Sequence, residues 1–359
     1  MFRWLARLFG RQAPPARKPS PDVVAAARAA SAALEKVSAS PLLPGPSDMR
    51  RKTGRLLTRP QSAEASDEQL NEALRADLSQ RCASLLEVFG GDEPDLARLV
   101  EGLDADALGA VPQVPQAAQR GLTLTLDDSI SAADLAAVFE TDPALAQALL
   151  TTASSIYYGG VSCVSIQRAV VRLGRRSLRN VVLRYAMHGL VCRPGPAFGD
   201  MPERIWEHLA ETAQLARTLA PTCAAEPEEA FAVGLLHDVG KLVLLEAAAG
   251  LRRDERRELE LFDLGRLRLT LDLLHEPLGG LAALSWDLGP AAARAVAHHH
   301  RSPASRADSP LEQVVFLADK VHLAQTRGEV DLELLWRIGG LSGSPAAAER
   351  LLASAALAA

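Results

Sequence analysis

The chain has 359 residues, of which 48% are apolar and 4% aromatic, and its formal charge at pH 7 is -5. This length and apolar content provide enough side chains for a sizeable core, which excludes a chain that is disordered throughout. Ala, Leu, Arg and Glu are abundant. These residues lose little side-chain freedom in a helix, so the composition favours an all-α protein.

The charge is unevenly divided along the chain. Residues 1–60 carry 12 Lys/Arg against 3 Asp/Glu, whereas the remainder carries 27 against 41. An acidic body repels polyphosphate at long range, so we expect no nucleic-acid partner. The four cysteines are far apart and form no Cys-x-x-Cys pair, which argues against a disulfide framework or a zinc ribbon.

The N-terminal segment is basic and amphipathic. Phe2, Leu5 and Phe9 share one side of a helix, and Arg3, Arg7 and Arg11 lie on another. The arginines exclude a secretory signal, and no apolar run approaches the ~20 residues of a membrane span, so we expect a cytoplasmic protein. Residues 1–11 are interpreted either as a weak contact to an anionic membrane surface or as a frayed terminus.

The next part of the chain predicts a linker followed by a helical extension. Residues up to 60 are rich in Pro, Ser and Ala, which indicates a flexible leader over residues 1–60. Ser66 and Gln69 form a capping-box pattern ahead of a helix that ends at Phe89. A second helical pattern completes an extension over residues 61–109. Leu122–Leu126 alternates as a strand does, but a single strand has no partner, so a helical domain is still predicted.

Helical spacing continues through the rest of the chain. The predicted helices are Ser131–Glu140, Pro143–Ser154, Ser165–Leu173, Ser177–Leu190, Glu203–Leu219, Pro227–Ala249, Arg252–Leu264, Leu278–Leu288, Pro290–His298 and Pro310–Thr326. Two short helices are predicted in residues 331–359, joined by residues 339–344. No fixed period recurs, which excludes a solenoid.

Metal-capable side chains form one ordered series along these helices: His208, His237, Asp238, His275, His299, His300 and Asp319. Imidazole and carboxylate are common ligands of Fe, Mn and Zn, carboxylate also suits Mg, and a two-metal site needs several such groups. His237 and Asp238 follow the apolar segment Phe231–Leu236, and Gly240 is expected to let the chain turn.

The segment Phe231–Lys241, FAVGLLHDVGK, resembles the signature of the HD superfamily. The resemblance extends over residues 110–310 to the HDOD domain, through Asp142–Leu145, Ala153–Gly159, Ala169–Gly174, Leu178–Leu183, His275–Gly279, Trp286–Leu288 and Ala295–Arg301. It implies an all-α, multi-helix HDOD domain with a helical N-terminal extension, followed by C-terminal helices over residues 311–359.

The resemblance also implies roles for individual residues. All seven members of the His and Asp series would be metal ligands, with Asp238 bridging two ions and Lys241 contacting phosphoryl oxygens. HDOD proteins are thought to have lost catalysis in many members and to relay signals by binding a partner. Three alternatives stay open: a metal site without turnover, a hydrogen-bonded polar cluster without metal, and a metal-dependent phosphohydrolase acting on a nucleotide or cyclic nucleotide.

Some positions depart from the related families. Ser154–Ser155 stands where Asn-Ser is usual, and Gly289 stands where Pro is usual. Arg301–Ser302–Pro303 replaces the Asp-Gly-x-Gly-Tyr-Pro segment of HD-GYP phosphodiesterases, so we predict no hydrolysis of cyclic-di-GMP. His298 is expected to be an ordinary helix-end residue, and His188 and His322 are expected to be surface or core residues. The pair Tyr157–Tyr158 is expected to pack in the core.

Overall fold

The computed structural model describes residues 67–89, 94–112, 114–155, 158–191, 198–255, 264–300, 309–327, 330–341 and 343–358. Every regular element in these ranges is helical, which confirms the predicted all-α fold. The basic leader and linker of residues 1–60 and the predicted N-cap Ser66 lie outside the described residues. None of the described helices is long and apolar enough to cross a bilayer.

The α-helices in chain order are α1 Asp67–Phe89, α2 Pro94–Ala105, α3 Gln116–Leu124, α4 Ala132–Phe139, α5 Pro143–Ala153, α6 Ile166–Val191, α7 Met201–Leu219, α8 Pro227–Leu236, α9 Val239–Glu255, α10 Leu264–Ser285, α11 Pro290–Ala297, α12 Pro310–Arg327, α13 Leu332–Gly339 and α14 Pro345–Ala358. A 3₁₀ turn, Ala220–Cys223, follows α7.

Local signals account for several helix ends in the first half. Ser131 and Asp134 form a capping box at the start of α4, and the Asp142 side chain accepts two backbone N–H groups at the start of α5. Gly174, with φ of 70°, divides α6 between the two helices predicted there. The alternating segment at residue 122 belongs to α3 up to Leu124, so it does not form a strand.

Two helix predictions are wrong in their boundaries, and residues 256–263 of the helix predicted over Arg252–Leu264 lie outside the described residues. The helix predicted over residues 227–249 is divided into α8 and α9, with His237 and Asp238 at the junction. The helix predicted to begin at Leu278 begins earlier, because α10 starts at Leu264 and continues through Pro277. A proline lacks an N–H, so Pro277 leaves the Leu273 carbonyl without its helical donor. Nη1 of Arg81, on α1, donates to that carbonyl at 2.8 Å.

The main core cluster draws apolar side chains from α1 to α12. Helix α10 packs against α1, α9 and α11, so it occupies a central place. A smaller cluster joins the end of α7 and α12 to the C-terminal helices, with Trp336 and Leu335 among its members. Helices α7, α8, α10, α11 and α12 therefore surround one interior region, which holds the His and Asp series.

Candidate metal centre

All seven predicted ligands lie in this interior region. Helix α7 contributes His208, the α8–α9 junction His237 and Asp238, α10 His275, the end of α11 His299 and His300, and α12 Asp319. They form two groups, and within each group the ligand atoms lie within 4.8 Å of one another. The first group contains Asp238, His275, His299 and His300, and the second contains His208, His237 and Asp319.

Glycines allow the helices that carry these ligands to approach closely. A Cβ atom on Gly234 would lie 2.8 Å from Cα of Ala213 on α7. A Cβ atom on Gly240 would lie 2.1 Å from the carbonyl oxygen of His275 on α10. Gly240 therefore serves close helix packing, and the turn that was expected of it lies earlier, at His237 and Asp238. A side chain at Gly240 would push His275 away from Asp238.

Backbone carbonyls fix the orientation of three imidazole rings. Nδ1 of His237 donates to the Gly234 carbonyl at 2.8 Å, and Nδ1 of His299 donates to Val296 at 2.6 Å. Both carbonyls lie in the last turn of a helix, where intrahelical donors are missing. Nδ1 of His275 likewise donates to the Leu271 carbonyl at 2.8 Å. Each neutral ring therefore directs the lone pair of its Nε2 atom toward the interior, as metal-binding histidines do.

The first group contains buried acceptor atoms that face one another. Oδ1 of Asp238 lies 3.2 Å from Nε2 of His275 and 3.4 Å from Nε2 of His299. None of these three atoms has a hydrogen-bond partner of good geometry. Ligands about 2.1 Å from one ion are separated by about 3.0 to 3.4 Å in tetrahedral or octahedral geometry. The donor set and its spacing therefore fit a divalent ion.

The second group is satisfied by its own contacts. Nε2 of His208 lies 2.9 Å from Nε2 of His237 and donates to it, because the His237 ring already uses its proton on Gly234. Oδ1 of Asp319 lies 3.4 Å from Nε2 of His208. Oδ2 of Asp238 lies 3.6 Å from the same nitrogen. Asp238 thus directs one oxygen toward each group, which is the arrangement of a bridging carboxylate.

Two lysines neutralise the carboxylates at the partly exposed edge of the site. Nζ of Lys241 lies 2.6 Å from Oδ2 of Asp238, and Nζ of Lys320 lies 2.6 Å from Oδ2 of Asp319. Burial opposes ionisation of both carboxyls. Nevertheless Lys241 and nearby histidines lower the pKa of Asp238 well below its usual value, and His208 and Lys320 do the same for Asp319. Both carboxylates are therefore charged at neutral pH.

Burial acts on the histidines in the opposite sense. It is the main cause that lowers the pKa of His237 to about 3, with smaller contributions from His208 and His299. Burial and the Lys241 charge likewise lower the pKa of His275 to about 3. Both rings are consequently neutral at physiological pH, which is the protonation state that a metal ligand requires.

A family model of the HDOD domain matches residues 111–302. The chain belongs to the HDOD family. A comparison with curated proteins gives no match. The family match ends before α12. Asp319 therefore joins the other six residues of the His–Asp cluster from a helix beyond the matched region.

Solved structures share the HDOD fold at low sequence identity. A provisionally named phosphohydrolase from Shewanella amazonensis is 22% identical, with a TM-score of 0.52 over 71% of this chain and 93% of that chain. An HDOD domain protein with unknown function from Geobacter sulfurreducens is 21% identical, with a TM-score of 0.50 over 69% and 90%. A provisionally named signal transduction protein from Marinobacter aquaeolei is 21% identical, with a TM-score of 0.52 over 85% and 69%.

Three residues that support the His–Asp cluster were not predicted from the sequence: Arg81, Glu276 and Lys320. Oε1 of Glu276 accepts the backbone N–H of His300 at 3.3 Å, and Oε2 lies 3.1 Å from Nη1 of Arg81. Burial opposes ionisation of Glu276, but His299, His300 and Arg81 lower its pKa far below the usual value. The His275–Glu276–Pro277 motif could have indicated Glu276, whereas nothing local indicates Arg81 or Lys320.

The remaining histidines lie around the cluster or away from it. The buried His322 ring packs 4.7 Å from the His208 ring, and its Nδ1 lies 3.4 Å from Glu211. His298 ends α11 near Glu312, and His188 packs edge-on against Trp206. Tyr158 packs against the main core, as expected, and Tyr157 lies outside the described residues.

Proposed function

We propose that this chain is a signal-transduction protein whose HDOD domain binds a divalent metal ion in the His–Asp cluster and acts by binding a partner. The observation that carries this proposal is the enclosure of the first group, since the side chains of Asp238, His275 and His299 are at most 3% exposed. A metal-dependent hydrolase keeps a coordination position open to water and substrate. An ion among these three side chains would instead be enclosed by helices and would stabilise one conformation.

The donor set favours some metals over others. Five of the seven candidate ligands are strongly buried imidazole or carboxylate groups: His237, Asp238, His275, His299 and Asp319. Imidazole suits Fe, Mn and Zn, whereas Mg prefers ligands that are all oxygen. When bound, the ion supplies the positive charge that the three facing acceptor atoms lack. We therefore expect Fe, Mn or Zn rather than Mg in the first group.

A second candidate function is a metal-dependent phosphohydrolase acting on a nucleotide or cyclic nucleotide. The observation that favours it is the edge of the site, where the side chains of His208, Lys241, His300 and Lys320 are 15–26% exposed. The two ammonium groups are suited to contact phosphoryl oxygens. One Shewanella amazonensis relative also carries the provisional name metal-dependent phosphohydrolase. The residues after His300 lack the HD-GYP sequence, so cyclic-di-GMP is not expected as the substrate.

Elemental analysis and a turnover assay separate the two functions. The wild-type chain, purified without added metal, is analysed for metal, then reconstituted with Fe(II), Mn(II) or Mg(II) and tested on phosphoesters that include cyclic-di-GMP. Asp238→Asn is the test variant, and Asp128→Asn, at a side chain 97% exposed, is the matched control. We expect bound metal in the wild type and in the control, loss in Asp238→Asn, and no turnover.

Two outcomes contradict the proposal. Turnover in the wild type that disappears in Asp238→Asn would establish a phosphohydrolase. A wild-type chain that takes up no metal after reconstitution would show that the cluster is a hydrogen-bonded structural network. Circular dichroism of each variant verifies that the helices have folded.

A further inference from the structure

An arginine-rich region outside the metal centre carries no acidic residue. Between Asp142 and Asp200 the chain contains seven arginines and no Asp, Glu or Lys. The chain as a whole is acidic, with 44 Asp/Glu against 39 Lys/Arg. This region covers α5, the loop after it and α6, and it therefore presents a local positive charge on an otherwise acidic body.

Three exposed valines lie in the same region. Val164 is 83% exposed, Val171 69% and Val161 63%, and they are the three most exposed of the large apolar side chains among the described residues. Val164 precedes α6, and Arg168 and Val171 lie three positions apart within α6, so helical spacing places these two side chains on one side of the helix. We call Val161, Val164, Arg168, Val171, Arg172 and Arg175 the valine–arginine face.

Hydrogen bonds hold the loop part of this face in place. The backbone N–H of Cys163 donates to Oγ of Ser154 at 2.9 Å, and the Cys163 side chain is buried. Nη1 of Arg172 donates to the carbonyls of Val161 at 2.6 Å and Ala153 at 2.9 Å. Because Cys163 is anchored inward, the valines at 161 and 164 are directed outward by a fixed backbone. Their exposure is thus built into the loop.

The arginines of the face retain positive charge. Arg168 is exposed and forms no ion pair with any described residue. Arg172 uses neutral carbonyl acceptors, which orient its guanidinium group without neutralising it. Arg175 donates to carbonyls in the turn after α3 and lies 3.5 Å from Asp128, whose side chain is almost fully exposed. Such a pair is weak, so an incoming carboxylate can replace it.

A second exposed apolar stripe shows what is particular to this face. On and beside α13, Val330, Leu334 and Ile338 are also exposed. Their neighbours include the acidic residues Asp331 and Glu333 and the basic residue Arg337, so that stripe has no single charge sign. The valine–arginine face combines apolar contact area with charge of one sign.

We propose that the valine–arginine face is a docking site for an acidic, amphipathic helix of a partner protein. Val171 lies on α6, and Val161 and Val164 lie on the short anchored loop before it, so together they offer exposed apolar side chains against which a second helix can pack. The oriented guanidinium groups match carboxylates in geometry as well as charge. A lipid surface is less well matched, because the face lacks the Trp, Phe and Leu side chains that insert into the membrane interface.

This docking site rests on the proposed role in partner binding. A synthetic fluorescent peptide serves as the probe, with leucines on one helical face and glutamates on the other. One control peptide has lysines in place of the glutamates, and a second has the same composition with the leucines distributed around the helix. The full-length chain should bind only the first peptide, and binding should weaken as salt increases, because exposed charge pairs are screened.

Variants test whether binding occurs at this face. Val164→Ser with Val171→Ser, and Arg168→Glu separately, should each weaken peptide binding by at least about tenfold, since apolar burial and charge attraction are both lost. Leu334→Ser with Ile338→Ser, and Arg337→Glu, are the matched controls on α13 and should leave binding unchanged. All of these side chains are exposed, so melting temperatures should stay at the wild-type value.

Several results would overturn the proposal. These are equal binding of the lysine peptide, no binding of the acidic peptide, or equal weakening by the α13 variants. Binding of phosphatidylserine vesicles or of a DNA oligonucleotide, lost in the Val164 and Arg168 variants, would assign the face to a different partner. Self-association that the same variants abolish would assign it to a second copy of this chain. No measurement here depends on metal or turnover, so the docking site and the proposed metal centre can fail separately.

Discussion

The two halves of the His–Asp cluster use the same residue types, but their atoms face different partners. In the first group, Oδ1 of Asp238 and the Nε2 atoms of His275 and His299 face one another and have no hydrogen-bond partner. In the second group, His208 donates to His237, and Asp319 lies beside them. Buried polar atoms without partners are costly, so a bound cation would stabilise the first group more than the second.

The difference indicates an order of metal binding. An ion in the first group removes an unfavourable contact, whereas an ion in the second group must displace a hydrogen bond that already exists. Asp238 belongs to both groups through its two oxygens. The first ion is therefore expected among Asp238, His275 and His299, and the second is expected to bind more weakly.

The largest expected effect is on the stability of the protein, and it concerns Asp238, the residue that the two groups share. In the metal-free protein, Asp238→Asn leaves the Lys241 ammonium beside a neutral amide in a buried site. We expect a loss of about 3 kcal/mol in the free energy of unfolding, measured by urea denaturation. Asp128→Asn removes an exposed partner of Arg175 and should cost less than about 0.5 kcal/mol. Equal losses of unfolding free energy in the two variants would show that the buried Asp238–Lys241 pair stabilises the protein no more than the exposed pair does.

The next effect is on metal affinity, and it compares a ligand of the first group with a ligand of the second group. His275→Ala removes a ligand of the first group and should lower affinity for the first ion on the order of a hundredfold. His208→Ala should lower it by less than about tenfold, because this ring contacts the first group only through Asp238. Competition with a chromophoric chelator measures both constants. The proposed binding order is wrong if the two variants lose the same affinity.

Lowering the pH tests a property that the two groups have in common, since each contains a buried, neutral histidine. Burial lowers the pKa of His237 and His275 to about 3, from a usual value of 6.5. Between these values the unfolded chain takes up protons that the folded chain does not. The stability of the metal-free protein should thus be complete above pH 6.5 and decline as the pH falls toward 3. Urea denaturation should show a shallower decline in His237→Gln and in His275→Gln, and an unchanged slope in both variants would contradict the prediction.

The smallest expected effect concerns the second ion. Nζ of Lys320 lies 2.6 Å from Asp319 and 3.4 Å from Nδ1 of His300, so its charge opposes a cation at the second group. Lys320→Met should raise affinity for the second ion by several-fold, measured by calorimetric titration of protein already loaded with one ion. Arg337→Met, on the surface of α13, is the matched control. A weaker second ion in Lys320→Met would show that the lysine supports this site.

Sequence patterns were sufficient for the features that depend on local spacing. Apolar periodicity located most helices, and the order of histidines and aspartates indicated the residues that converge. Features that depend on distant contacts were not predictable. The helix predicted to begin at Leu278 includes Pro277, and the donor that replaces the missing N–H comes from Arg81, 192 positions away from the carbonyl that it binds. Likewise, the close approach that Gly240 permits is visible only when α10 is packed against α9.

The bond from Arg81 to the helix that carries His275 has a practical consequence for dividing the protein. Domain exchanges are commonly made at the limits of a family match. In this protein such an exchange would cut the chain at residue 111 and remove α1. Such a cut would leave the Leu273 carbonyl without its donor, Glu276 without its arginine and the apolar face of α1 missing from α10. A chimera that keeps its own α1 with its own α10 should fold, whereas one that joins an α10 containing Pro277 to a foreign extension without an arginine should not.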